Sequence, residues 1–440
     1  MWSILPKKDI PDFISRYPQL EGHLEFIMLQ EVGDLVFFPR YFYYNFPHPS
    51  LRFHKDPSWK AYQCSSNFNG ELRDMQKSLI SPIIKKINDP NSIGGILKAR
   101  PGAGKTVMGV YLGCATNKKT LIILDNSKLF EQWSESVLKF TNNTNVGTIQ
   151  GSVFDTDHDF VIAMVQTLVS KSKRDLKNYY SQIKSSGFDL ILFDECHETS
   201  SGPKYAKSSL FLNTKNIIGL SATPFAHGLH KILMANTIGP IISESNEYEI
   251  VPEINIVKYD SGLSYKYTSY IMSLSDMMMR RARYNKIILK SEKYMEILQT
   301  LNRELYADNH RTINVLMTKE QVNSISGFLE NNGIPNIQFY SQQPKVDKKN
   351  DKVLVATYKY SGKGFDYSEL SSCIIATPLS GQKSLIQVIG RVLRTCKNKK
   401  KAKVYILVET GFGGFFASFI PKIIKIVEKE FKCHVNIIDM

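Results

Sequence analysis

Short apolar runs recur through the middle of the chain, each followed by a stretch of helix length. GGILKA (94–99), TLIILD (120–125), DFVIAMV (159–165), DLILFD (189–194) and NIIGLSA (216–222) are apolar at successive positions. Both faces of the strands they predict must therefore be covered. Strand, loop, helix and strand in that order predict an α/β domain with a parallel sheet. The pattern restarts with RTINVLM (311–317), NIQFYS (336–341), KVLVAT (352–357), SCIIAT (372–377) and KVYILV (403–408). Two α/β domains of similar size are expected, over residues 66–245 and 246–440. The stretch 225–300 is less regular and reads as an interdomain connection with an opening helical piece around SDMMMRRARYNKIILKS. Near the end, FFASFIPKIIKIVEKEFK has the apolar spacing of a packing helix. Residues 1–65 differ in character. GDLVFFPRYFYYNFPHPSLRF is aromatic, punctuated by proline and poor in helix signals, which predicts a small β-rich module. Its aromatic run fits a core better than a base-stacking platform, and leaves Arg40 and one tyrosine as candidate nucleic-acid contacts.

Composition alters this picture in one respect. The 440 residues exceed one ordinary core, and 42% hydrophobic with 22% charged residues is usual for a soluble globular protein. The formal net charge of +15 is not usual. It predicts an acidic partner, nucleic acid or an anionic surface. MWSILPKKDIPDF lacks a signal pattern, and no apolar run approaches the roughly 18–20 residues of a membrane span. The expectation is a soluble intracellular protein with no membrane partner. The 6 cysteines include no CxxC pair, which argues against a disulfide framework or a structural zinc site.

Two segments carry chemistry. ILKARPGAGKTVMGVYLG follows an apolar strand and opens a helix. Gly102, Gly104, Lys105 and Thr106 fall on the phosphate-loop pattern, with Pro101 and Ala103 between them and Ala99 where the first glycine usually stands. Glycines let backbone N–H groups turn toward phosphate oxygens, and the helix amino terminus adds a favourable dipole. Lys105 supplies charge to the β- and γ-phosphates, and the Thr106 hydroxyl is placed to ligate Mg²⁺. Asp194-Glu195-Cys196-His197 ends a predicted buried strand. Alone it allows a metal site, a Cys–His nucleophile or phosphate chemistry. With the loop upstream, Asp194 is placed to hold Mg²⁺ and Glu195 to polarise the attacking water. Adjacent residues on one backbone rarely meet as nucleophile and base, so Cys196 reads as a buried thiol. His197 reads as a sensor of nucleotide state.

These segments resemble a superfamily 2 DExH-box helicase. ARPGAGKT is similar to motif I and DECH to motif II. GLSATP (219–224) is similar to motif III, with Ser221 and Thr223 as coupling hydroxyls alongside His197. TLIILDNSKLFEQW (120–133) resembles motif Ia, and GTIQGS with VIAMVQTL the following nucleic-acid-facing segments. VLVATYKYSGKGFDY (353–367) resembles motif V, with Gly364 and Asp366 at nucleotide-contacting positions. QVIGRVLR (387–394) is similar to motif VI. ELRDMQKSL resembles the segment with the adenine-reading glutamine, here Gln76. After SATP the relatives often carry an arginine and an acid, where this chain has FAHGL.

The resemblance implies two tandem RecA-like domains, residues 66–245 and 246–440, behind the accessory module of residues 1–65. It implies ATP and Mg²⁺ as cofactors, bound in a cleft where Gln387 contacts the γ-phosphate and Arg391 and Arg394 act as arginine fingers. It implies a nucleic-acid partner, DNA rather than RNA, with Gln132, Gln166, Thr167, Thr318 and Thr357 as contacts. The subfamilies it points to are the transcription-repair type, the phage branch-migration helicase and the poxvirus transcript-release helicase. A phage or large DNA virus is the implied source, with host cytoplasm or virion as the location. An RNA helicase, a remodeller of protein–nucleic-acid complexes and the motor of a restriction system stay open. Protein partners are not indicated.

Overall fold

The computed structural model describes residues 2–24, 30–54, 60–174, 176–199, 208, 212, 214–224, 229–245, 248, 250–340, 352–358, 367–379, 381–394, 396 and 399–440. The chain divides into two compact units, Met1–Ser245 and Asn246–Met440.

The first unit opens with β1 (Trp2–Pro6), β2 (Gln30–Val32), β3 (Leu35–Phe38) and β4 (Arg52–His54), an antiparallel sheet in the order β2-β3-β1-β4. Helices α1 (Ile10–Arg16) and α2 (Phe42–Asn45) join it around Leu5, Phe13, Val36, Phe38, Phe42 and Leu51. The Phe38 and Phe42 rings stack at 4.2 Å, so much of the aromatic run is core. Arg40 does not face solvent, contrary to expectation. It is 3% exposed, and its guanidinium donates to the carbonyls of Thr214 and Lys215 at 2.9 and 2.8 Å. Burial outweighs the free hydration of its charge because backbone oxygens receive its protons. Next to it, the Tyr41 hydroxyl donates to the Gly94 carbonyl at 2.6 Å. A side chain at Gly239 would lie 2.2 Å from the Tyr41 ring, so glycine is required for this approach. The PRYF segment thus fastens the module to the larger sheet.

That sheet has eight strands in the order β12-β5-β11-β10-β6-β9-β7-β8. They are β5 (Gly95–Ala99), β6 (Thr120–Leu124), β7 (Gly147–Gln150), β8 (Val153–Asp155), β9 (Phe160–Met164), β10 (Leu190–Asp194), β11 (Asn216–Ser221) and β12 (Ile241–Ser245). All neighbours are parallel except the β7–β8 hairpin. Alternate residues serve two cores. Leu97, Ile122, Ile162, Leu192 and Ile218 pack toward α3 (Asp74–Asn88), α4 (Lys105–Ala115) and α5 (Ser127–Phe140). Ile96, Leu121, Val161, Ile191 and Ile217 pack toward α6 (Val165–Arg174) and α7 (Leu176–Ser185). This double burial is why each run is apolar throughout. Because β5, β11 and β10 are neighbours, the phosphate loop, the SATP turn and the DECH segment leave the sheet side by side at their carboxyl ends, where such sheets bind ligands.

The second unit is a seven-stranded, wholly parallel sheet in the order β15-β16-β14-β17-β18-β13-β19. Its strands are β13 (Glu253–Tyr259), β14 (Thr312–Leu316), β15 (Ile337–Phe339), β16 (Val353–Thr357), β17 (Ser372–Ile375), β18 (Lys403–Glu409) and β19 (Val435–Asp439). The irregular stretch 225–300 holds a one-residue-offset edge strand, β12, and the interior strand β13. It also holds two helices in succession, Tyr265–Ser273 and Met277–Ile287. The helix Ile420–Phe431 buries Ile423, Val427 and Phe431, as its spacing predicted. Among the described residues, no helix is long and apolar enough to cross a membrane.

Candidate nucleotide site

The loop after β5 turns at Gly102 and Gly104, whose φ values are 80° and 83°. Both lie in the left-handed region that glycine enters freely. Gly104 caps α4, so the amino-terminal N–H groups of that helix are left to face an anion. Gln76 holds the loop from behind: its amide donates to the Ala103 carbonyl at 2.9 Å and accepts the Arg73 N–H at 3.0 Å. A Cβ on Gly104 would sit 2.3 Å from the Gln76 amide nitrogen. The Arg73 guanidinium donates to the same Ala103 carbonyl at 2.9 Å.

Side chains at the strand ends form a continuous series. Lys105 Nζ donates to the Ala99 carbonyl at 3.4 Å and pairs with Glu195 Oε1 at 3.6 Å. Glu195 Oε2 lies 3.4 Å from His197 Nδ1, which is 2.8 Å from Ser221 Oγ. Ser221 Oγ accepts the Thr223 N–H at 3.1 Å. The phosphate loop, motif II and the SATP turn are therefore joined through four side chains. Glu195 has φ of 43°, left-handed for a residue with a Cβ. At this turn the two adjacent carboxylates take different partners. Asp194 Oδ1 accepts the Glu195 N–H at 3.0 Å, and its Oδ2 accepts the Trp133 indole N–H at 2.8 Å.

Burial and the neighbouring Glu195 charge push the Asp194 carboxyl up to about 6, against the pull of Lys105 and the Trp133 hydrogen bond. The Cys196 thiol is fully buried, and burial pushes it well above the ordinary thiol range. A thiol that stays protonated and faces Gly219 is no nucleophile. Among the described residues, no three His, Cys, Asp or Glu side chains gather as a metal cage. The donors fit Mg²⁺ instead, which takes one or two protein oxygens and completes its shell with phosphate and water. Two adjoining carboxylates beside a single ammonium leave negative charge for such a cation to balance.

Residues 69–226 match the family described as type III restriction enzyme, res subunit. L396 of Acanthamoeba polyphaga mimivirus, assigned as an ATP-dependent RNA helicase, is 24% identical over 407 residues, 89% of this chain and 73% of that protein. Transcript termination protein A18 of Yaba-like disease virus is 23% identical over 362 residues, 76% of this chain and 72% of its own. Among solved structures, the type ISP restriction-modification enzyme LlaBIII bound to DNA is similar in fold with a TM-score of 0.56. Its identity is 14%, and the match covers 85% of this chain but 32% of that one. The chain belongs to the superfamily 2 helicases. It is an ATP-hydrolysing enzyme built on two RecA-like domains.

In this helicase the first unit brings together Gln76, Lys105, Asp194, Glu195, His197, Ser221 and Thr223. Gln387, Arg391 and Arg394 belong to the second unit, where all three are half-buried on or just after the helix Gln382–Val392. Gly364, Asp366 and residues 225–228 of FAHGL lie outside the described residues. Other expected nucleic-acid contacts are engaged within the protein. Gln166 donates to the Asp125 carbonyl at 2.8 Å, and the Thr167 hydroxyl accepts the Gly151 N–H at 3.0 Å. Thr318 is the N-cap of the helix Lys319–Asn331, accepting the Gln321 N–H at 3.2 Å, and Thr357 is buried. Gln132 is half-buried on α5. The lysine run after motif VI is tied down: Lys399 donates to the Ser368 carbonyl at 3.0 Å, and Lys401 pairs with Glu253 at 3.3 Å. Sequence reasoning missed Trp133. Its signal was an indole N–H at an apolar position of α5, a donor that needs a partner once buried.

Proposed function

We propose that this helicase is a DNA translocase that couples Mg-ATP hydrolysis to movement along a strand. The observation that carries the reading is the series Lys105–Glu195–His197–Ser221–Thr223. It runs without a break from the phosphate loop to the strand end beyond motif II. In this reading Glu195 orients and deprotonates the attacking water, while Lys105 and the amino end of α4 bind the phosphates. Asp194 and Thr106 would hold Mg²⁺, which supplies charge neutralisation at the transferring phosphoryl group. Gln76 sets the loop's position from behind. Arg391 and Arg394 are assigned to the charge that develops on the phosphoryl oxygens, and Gln387 to the γ-phosphate. His197 and Ser221 pass the loss of that phosphate to the SATP turn.

DNA is favoured because the matched family and the structure with DNA bound are restriction enzymes. The relationship to a viral transcript termination protein favours a second reading, an ATPase that displaces proteins or transcripts without separating strands. ATPase rates with single-stranded DNA, duplex, forked DNA and RNA distinguish them. Stimulation by DNA with fork unwinding is expected. Stimulation by RNA alone sinks the DNA assignment, and stimulation without unwinding favours the remodeller.

A further inference from the structure

The helices Tyr265–Ser273 and Met277–Ile287 take no part in the nucleotide site, yet their surface is unusual. Tyr265 is 85% exposed and Met278 is 80% exposed, and Tyr270, Met277 and Met279 are exposed as well. Between residues 265 and 290 stand six cations, Lys266, Arg280, Arg281, Arg283, Lys286 and Lys290, against one carboxylate, Asp276. That carboxylate is spent as an N-cap, accepting the Met279 N–H at 2.8 Å. Two of the cations are structural. Arg280 lies over the Phe415 ring at 5.0 Å and donates to the Met272 carbonyl, and Arg281 lies over Phe419 at 5.2 Å. Together with buried Tyr284 and Ile288 they fasten the second helix to its domain.

The other cations point away from that attachment. Met279, Arg283, Lys286 and Lys290 recur at helical spacing along one face. Lys266, Arg283, Lys286 and Lys290 are all exposed. Arg283 lies 5.8 Å from the Tyr270 ring centroid, and Lys290 Nζ is 3.2 Å from the Tyr267 hydroxyl. These contacts set the aromatic side of the first helix beside the cationic side of the second. Exposed rings and thioethers flanked by uncompensated cations suit a polyanion that carries flat apolar faces.

We propose that this helical pair is a second contact for single-stranded nucleic acid, with Tyr265 and Tyr270 stacking on bases and Lys266, Arg283 and Lys286 engaging phosphates. The inference rests on the helicase reading of the chain. It is tested on the full chain with fluorescein-labelled oligothymidine and oligouridine, read by anisotropy. Tyr265→Ala/Tyr270→Ala is expected to weaken binding at least about tenfold. Arg283→Ala/Lys286→Ala is expected to flatten the salt dependence by about 1.4 in log–log slope, two single-strand phosphates. Unfolding temperature and ATPase without nucleic acid should stay as in the parent. If the parent binds neither oligonucleotide, the helicase reading itself fails. If the parent binds and both variants match it in affinity and slope, the second contact is refuted and the patch belongs to a protein partner.

Discussion

At Glu195 the backbone is left-handed and the carboxylate sits between Lys105 and His197. Glutamine keeps its size and contacts but cannot take a proton. Glu195→Gln should bind ATP and hydrolyse it at least roughly 100-fold more slowly. Single-turnover hydrolysis beside nucleotide titration checks this, and near-normal turnover would remove Glu195 from the mechanism. Trp133→Phe keeps the ring but removes the donor to Asp194. Loss of a buried hydrogen bond to a carboxylate costs about 1–3 kcal/mol. If that loss acts on Asp194 in the reaction, turnover falls by about tenfold and half-saturation by Mg²⁺ rises, with unchanged affinity for Mg-free nucleotide. Unchanged turnover and Mg²⁺ response would leave the contact purely structural. Much of this site was legible in the sequence because phosphate chemistry demands particular residues at fixed spacing. Trp133 and Arg73 were not, since tertiary packing alone brings them to the loop and the carboxylate.

Among elements, the parallel strands were legible because burial on both faces makes them apolar throughout. β13 escaped notice although it lies inside its sheet. Asn255 and Lys258 interrupt its apolar run, and burial of Asn255 could not be foreseen from a polar letter. The amino-terminal module was legible as aromatic, but the partners of its arginine were not. Arg40→Met keeps the aliphatic stem and strips two carbonyls of their donors. Unit 1 should lose about 2–4 kcal/mol in denaturant unfolding, with oligonucleotide affinity unchanged. A stable variant with weakened binding would restore Arg40 to the nucleic-acid surface. His310 precedes β14, buried with its Nδ1 3.0 Å from Ser371 Oγ. Burial, then the charges of Lys403 and Lys400, hold it below the ordinary 6.5, with Asp308 opposing. The unfolded chain therefore takes up this proton first, so stability is present above about pH 6.5 and is lost as pH falls below it. Melting temperatures at pH 7 and 5 should differ less for His310→Gln than for the parent, and equal differences would contradict the assignment.

For the whole molecule, the decisive quantity is the charge of +15. Such an excess either keeps a protein soluble or neutralises phosphates, and salt separates the two. A solubility charge leaves affinity nearly independent of ionic strength. Phosphate contacts release counterions, so log K falls linearly with log salt, by about 0.7 per single-strand phosphate. Contacts to about four phosphates then cost about fiftyfold in affinity between 50 and 200 mM salt. The expected result is a straight line of that order, with ATPase in the absence of nucleic acid changing far less. Its slope should shrink when the cations of the Tyr265–Ile287 helical pair are removed, because each stands for one released ion. Melting-temperature changes over the same salt range would be small, since exposed charges contribute little to folding. A flat binding profile would assign the whole excess to solubility, and would place the energy of strand binding in stacking and hydrogen bonds instead.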